Sequence, residues 1–234
     1  MTNDWRSFKG IHAGQSCVVI CNGKSLADVK LDQITVPTIG VNRIYLRYTP
    51  HYYVVEDHLV AEDCAHDIAH FYGTTRFYGT HLNYIERLSN DEAAVWYPTC
   101  MDTEYPAFPN WYDGETFYTG STVTYQALQL AFYMGFVRVY CVGLDHNYVM
   151  PDTAKAIGAD KSIYLLNGSD PNRFDPSYFT GRRFHAPLME RMELAYRRAT
   201  QVYTLYDREL YNATPDTQLP DYIMPRCDLD EVYR

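Results

Sequence analysis

Apolar residues fall along this chain in short runs that stop at small or polar residues, and those runs alternate with segments of helical spacing. Residues 17–21 form a continuous apolar run and read as a buried strand. Asn22-Gly23-Lys24-Ser25 ends it, with Ser25 placed to cap a helix from Leu26. Residues 34–41 read as a second strand with Pro37 marking a break or edge, and Asn42 stands at its end. Residues 52–55 are a third strand ending in Glu56-Asp57, residues 59–72 a helix, and residues 75–78 a fourth strand.

From 88 to 117 the periodicity breaks up. Trp96, Tyr97, Pro98, Pro106, Pro109, Trp111 and Tyr112 make this stretch either a lid over a site or a packed surface loop. The strongest local pattern follows: GSTVTYQALQLAFYMGF, residues 120–136, is a helix with Ser121 or Thr122 as cap. Ala127, Leu130, Ala131 and Met134 form its apolar stripe, and Gly135 stops it. Residues 137–142 are then a strand ending in Gly143-Leu144-Asp145-His146. This alternation predicts a Rossmann-like α/β fold: a doubly wound, mostly parallel sheet with helices on both faces. We expect a single domain over 1–234, with its core in about 16–148 and an irregular active-site region in 149–187. An amphipathic helix over 188–206 and an extended tail over 207–234 complete it.

Composition narrows the function. The chain has 234 residues, 47% hydrophobic and 21% charged, which describes a globular protein. A net charge of −9 argues against a nucleic-acid partner. Tyrosine is abundant, at 23 residues, and suits a wet cleft lined by ring and hydroxyl. Six cysteines without a CxxC pair fit a reducing, cytoplasmic setting; no signal core and no run of membrane-span length is present.

Ligands of open α/β sheets bind beyond the carboxyl ends of the strands. The residues at those ends are Asn22, Gly23 and Ser25, then Asn42 and Arg43, then Glu56 and Asp57, then Gly143, Asp145 and His146. The Asn-Gly turn either approaches a phosphate or is an ordinary turn of residues comfortable at positive φ. Neither GxGxxG nor GxxxxGK[ST] is present, which removes support for nicotinamide binding and P-loop hydrolysis. No HExxH or Cys/His motif indicates a metal. His146 and His185 are candidate bases, and Tyr148, Tyr164 and Tyr178 candidate donors to a departing phosphate.

The segments VVICNGKSL, TIGVNRIYL, YYVVED, TVTYQALQLAFYMGFVRVYCVGLDHNY, NRFDPSYF with GRRFHAP, and YNAT occur in that order. Together they resemble the 6-hydroxymethylpterin diphosphokinase-like family, also called domain-of-unknown-function group 115, over about residues 16–219. That family is similar to flagellin-modifying nonulosonic acid transferases and, more distantly, to the family 42 sialyltransferases, and bacterial members often accompany surface-polysaccharide genes. The resemblance implies that Asn22, Gly23, Ser25 and Asn42 face a CMP moiety and that Ser121 and Thr122 lie near its phosphate or ribose. Gly143 and Asp145 match a strand-ending GxD. Cys21 and Lys24 depart from the usual glycine and proline, and Lys24 is a candidate phosphate contact. The family's NHF reads Asn172-Arg173-Phe174, which removes a catalytic histidine, leaves His185 as the base, and makes Arg173 a candidate to neutralise a phosphate or carboxylate.

The expected activity is therefore a glycosyltransferase using a CMP-linked nonulosonic or sialic-type donor and a glycan acceptor, with His185, Asp145, Tyr148 and Tyr178 as its chemistry. It requires no cofactor, and a homo-oligomer is compatible with it. The alternatives are a pterin pyrophosphokinase using ATP and Mg²⁺ on Glu56, Asp57 and Asp145, and a noncatalytic nucleotide-sugar-binding domain.

Overall fold

The computed structural model describes residues 3–101, 106–108, 116–158 and 161–233. In chain order the strands are β1 (Asn3–Asp4), β2 (Ser16–Ile20), β3 (Thr38–Val41), β4 (Tyr52–Val55), β5 (Thr75–Gly79), β6 (Val95–Tyr97), β7 (Thr99–Cys100) and β8 (Phe117–Tyr118). They continue with β9 (Arg138–Val142), β10 (Ala154–Ile157), β11 (Ile163–Leu166), β12 (Arg183–His185) and β13 (Glu209–Asn212). The helices are α1 (His58–Asp63), α2 (Ala65–Ala69), α3 (Glu86–Ser89), α4 (Val123–Tyr133) and α5 (Met189–Leu205).

Eight strands form one sheet in the order β1-β6-β5-β4-β3-β2-β9-β13, and every pair is parallel. Such a sheet is buried on both faces, so its central strands β2, β3 and β4 are largely apolar. Cys17, Val19 and Cys21 face the layer holding α4 and α5, while Val18 and Ile20 face the layer of α1, α2 and α3. From β2 the chain winds outward through β3 to β6, then returns to lay β9 against the other side of β2. The order reverses between β2 and β9, and such a reversal opens a crevice at the strands' carboxyl ends. The predicted α/β class is the observed one.

Several local expectations are corrected. No Ser25-capped helix follows β2; Lys24–Asp28 is a 3-10 turn whose N-cap is Gly23. The second strand starts only at Thr38, because Pro37 has no amide proton to give to a ladder and 31–33 turn away as a 3-10 segment. The helix expected over 59–72 is two, broken at Cys64 (φ −126°, ψ 15°); the buried stripe of Leu59, Val60, Ala61, Cys64 and Ile68 runs across the break, so its spacing does not reveal it. Helix α4 is not amphipathic: all 11 of its residues are buried between the sheet and α5.

The stretch over 88–117 contributes β6 to the sheet, where Tyr97 is buried and Trp96 packs edge-on against Tyr78, while Pro109, Trp111 and Tyr112 lie outside the described residues. Residues 149–187 are not wholly irregular. They carry the antiparallel sheet β10-β11-β12, whose half-exposed strands have too little hydrophobic contrast to announce themselves. The main sheet also reaches past 16–148, taking in β1 and β13, and the tail beyond β13 buries Leu219, Ile223 and Met224. Among the described residues no helix is long and apolar enough to cross a membrane.

Candidate functional site

The switch between β2 and β9 opens into a cavity of about 770 Å³ lined by the ends of β2, β3, β4 and β9, the N-terminus of α4, and residues from 149–187. Its floor is the turn after β2. The Gly23 amide donates to the Gly143 carbonyl at 2.8 Å, joining the two strand ends. The Ser25 amide donates to both carboxylate oxygens of Asp145, at 3.3 and 3.2 Å. A Cβ on Gly23 would stand 1.8 Å from Asp145 Oδ2 and 2.6 Å from the Gly143 carbonyl. Gly23 has φ −68°, so it is glycine for the close approach of Asp145 and not for a positive φ. The anion resting on this turn is the chain's own Asp145. Lys24 is exposed, and neither it nor Ser25 lines the cavity.

Around this floor, polar atoms stand buried without partners among the described residues. Asn22 is 4% exposed; its Nδ2 donates to the Val41 carbonyl at 2.9 Å, which fixes the amide and leaves Oδ1 unpaired. Asn42, at φ +48°, likewise has an unpaired Oδ1. His146 bonds Glu193 Oε1 of α5 through Nε2 at 3.1 Å, and its Nδ1 is buried and unpaired. Arg173 bridges to Gly23 through its backbone, and its guanidinium lies 5.4–5.5 Å from the rings of Tyr148, Tyr178 and Phe179. Burial opposes its charge, but the Tyr148, Tyr178 and Asp170 groups around it carry its pKa above the usual value. Its Nε has no partner among the described residues.

The first turn of α4 is close by, since Cys21 feels the Arg173 charge and its Sγ lies 3.4 Å from Thr124 Oγ1. Thr122 is the N-cap of α4 but its side chain makes no cap bond, facing the Tyr196 hydroxyl at 3.3 Å instead. Ser121 and Thr122 both line the cavity. Tyr178 does not: it is 1% exposed, and its hydroxyl accepts from the Arg43 amide at 3.0 Å. Burial, only partly offset by the Arg173 and Arg43 charges, raises its pKa well above the usual value. Tyr178 is thus a buried platform for Arg173 rather than a proton donor on the cavity wall.

The remaining wall carries acids and imidazoles. Burial, reinforced by the Asp57 charge, pushes the Glu56 carboxyl up to about 8. His81 bonds the Glu56 carbonyl at 2.9 Å and Thr99 Oγ1 at 2.8 Å. Asp57 Oδ1 caps α1 through the Leu59 and Val60 amides. The His58 and His185 rings are 5.0 Å apart, held together by Arg183, which bonds Asp63 and Glu62 of α1 from the start of β12.

Of the residues singled out from sequence, Asn22, Gly23, Asn42, Glu56, Asp57, Ser121, Thr122, Gly143, Asp145, His146, Tyr148, Arg173 and His185 line this one cavity. Sequence reasoning passed over Glu193, His58 and Asp170. Only His58 carried a local signal, as the residue after Glu56-Asp57 at a strand end.

No protein-family model matches the chain, and no curated protein matches it. Among solved structures the chain is similar to the sialyltransferase CstII from Campylobacter jejuni, determined in complex with a substrate analogue, cytidine-5'-monophosphate, at 12% identity and a TM-score of 0.41. The match covers 91% of this chain and 85% of that one. A likeness at that level carries neither ligand nor reaction over to this chain.

Proposed function

We propose that the cavity binds a nucleotide-activated sugar and that the protein transfers that sugar to a glycan acceptor. The observation that carries this reading is the set of unpaired buried polar atoms, Asn22 Oδ1, Asn42 Oδ1, His146 Nδ1 and Arg173 Nε, on residues that line one cavity at the sheet's switch point. Leaving such atoms unsatisfied costs about 1–3 kcal/mol each, so a polar ligand that bonds them is favoured. Two carbonyl oxygens fit a ligand rich in N–H and O–H donors, such as ribose hydroxyls and the exocyclic amine of cytosine. Uracil offers no such amine. With the motif resemblance, this favours a CMP-linked donor, and surface-glycan synthesis as its setting.

Arg173 and the α4 N-terminus hold the phosphate, where a guanidinium and backbone amides stabilise the charge that develops as the glycosidic bond breaks. Tyr148, beside Arg173, can donate to the departing oxygen. The acceptor's proton goes to an imidazole. His146 offers one whose Nε2 is tied to Glu193 and whose Nδ1 has no other use, and His185 is the second on the wall. Asp145 positions the floor, and a further role in chemistry has to compete with its bonds to Ser25. Magnesium-dependent diphosphate transfer draws less support: of its three carboxylates, Asp145 is committed to the Ser25 amide and one oxygen of Asp57 to the α1 amides.

Calorimetric titration of the purified chain with CMP, UDP and ATP tests this. CMP is expected to bind saturably and most tightly. No binding by any of the three would sink the reading. CMP binding with neither transfer nor donor hydrolysis would reduce it to a noncatalytic binding domain.

A further inference from the structure

On the cavity wall, Asp57, His58 and His185 present one ligand atom each, and these atoms all lie within 4.8 Å of one another. All three side chains are half-buried. The Asp57 rotamer is set by the cap bonds of its Oδ1 to the α1 amides, which leaves Oδ2 without a partner among the described residues. The His58 imidazole makes no hydrogen bond among the described residues, and its ring stands 5.0 Å from that of His185. The two halves of the cluster are fixed to each other. Arg183, two residues before His185, donates from its backbone amide and its Nε to Asp63, each at 3.0 Å, and from Nη2 to Glu62 at 2.8 Å, both on the helix that begins with His58.

We propose that Asp57, His58 and His185 bind a divalent transition-metal ion, with zinc as the reference cation. Two imidazole nitrogens and one carboxylate oxygen suit zinc, cobalt or manganese, whereas magnesium prefers an all-oxygen shell. Metal–ligand distances of about 2.0–2.2 Å place the donors of a tetrahedral site a little over 3 Å apart. Side-chain rotations of about an ångström or two therefore close the cluster on the ion. Three protein ligands leave one position open, and because all three residues line the cavity, that position faces the bound molecule. A phosphate, carboxylate or water oxygen completes the shell. With His185 engaged in this way, His146 is the imidazole left to take the acceptor's proton.

The test uses the full chain, stripped with a chelator and titrated with Zn²⁺ alone, so its result does not depend on which nucleotide the cavity accepts. One zinc per chain is expected, and Co²⁺ in its place is expected to give visible absorption of a four- or five-coordinate site. His58→Gln and His185→Gln are each expected to weaken binding by about 100-fold, and Asp57→Asn by about tenfold, since asparagine keeps the α1 cap and a neutral oxygen ligand. Circular dichroism of each variant separates ligand loss from misfolding, with Asp57→Asn the mildest change. His66 and His70, whose rings stack at 4.4 Å around α2, are the competing surface site. The proposal is overturned if wild type binds no zinc, if the three folded variants bind it as wild type does, or if His66→Ala with His70→Ala abolishes the binding instead.

Discussion

Arg76 and Arg173 are both arginines enclosed by protein, and their surroundings differ in one respect. Every part of the Arg76 guanidinium is bonded: Nε and Nη2 donate to the two oxygens of Asp91 at 2.8 and 2.7 Å, and Nη1 to the Phe71 carbonyl at 2.9 Å. The pair is 5% and 6% exposed, and Tyr78 adds a third bond to Asp91. Arg173 is surrounded by rings, with Nε unpaired among the described residues and the cavity beside it. One cation is fully bonded within the fold; the other lines the cavity with a nitrogen unpaired among the described residues. The same contrast separates two acids. Burial works against the Asp91 charge, but Arg76 and Tyr78 outweigh it and hold its pKa below the ordinary carboxylate range, whereas Glu56, without a bonded cation, is pushed up to about 8.

Breaking the closed pair gives the largest effect. Asp91→Ala strands a buried guanidinium and is expected to cost about 3–5 kcal/mol in denaturant unfolding. Replacing both partners together, Arg76→Met with Asp91→Leu, should cost much less, because no uncompensated charge remains. Equal losses would mean that Arg76 is not the structural member of the comparison.

The acids predict opposite pH responses. The Asp91 contribution is present above its unfolded pKa of about 3.9 and disappears as pH falls through the depressed folded value. For Glu56 the folded state holds the proton more tightly than the unfolded state, so stability declines as pH rises from near 4.5 towards 8. Glu56→Gln is expected to flatten that decline and to be more stable than wild type above pH 8 by on the order of 2–4 kcal/mol. Urea unfolding at pH 5 and pH 9 measures it, and a wild-type slope retained in the variant would assign the effect elsewhere.

The cavity was legible wherever neighbours in sequence are neighbours in space. The run from Gly120 to Val142 placed α4 and β9, and residues at strand ends identified one side of the cavity wall, because a parallel sheet delivers all such ends to one edge. What stayed hidden depends on distant contacts. Glu193 reaches His146 across 47 residues and Arg183 reaches Asp63 across 120, and neither leaves a local pattern. The turn after β2 stayed open between two readings for a related reason. Its glycine looks prepared for a phosphate, and only the position of Asp145, 120 residues from Ser25, shows that the space is taken.

Removing the open cation is expected to have a smaller and different effect. Arg173→Met should lower unfolding free energy by about 1–2 kcal/mol, because it loses the Tyr148 side-chain bond and the charge facing Asp170 but breaks no bidentate carboxylate pair. It should weaken CMP binding by about 10–100-fold, the range for a hydrogen bond to a charged group. A large stability loss with unchanged affinity would make Arg173 a second Arg76.

The smallest effects are expected at the turn itself, and they decide where the phosphate lies. Lys24 is exposed, and Ser25 engages Asp145 through its backbone amide, a bond that any side chain at that position preserves. The Ser25 hydroxyl oxygen is buried and unpaired among the described residues, so Ser25→Ala removes a desolvated group and loses no hydrogen bond. Stability should hold or rise by about 0.5 kcal/mol, and CMP affinity in Ser25→Ala and in Lys24→Ala should stay within about twofold of wild type. If the phosphate instead rested on this turn, either change would reduce affinity as much as Arg173→Met does. Near-neutral values at 24 and 25 beside a loss at 173 would place the ligand's charge on the guanidinium and α4 side of the cavity, with Asp145 keeping the turn closed to it.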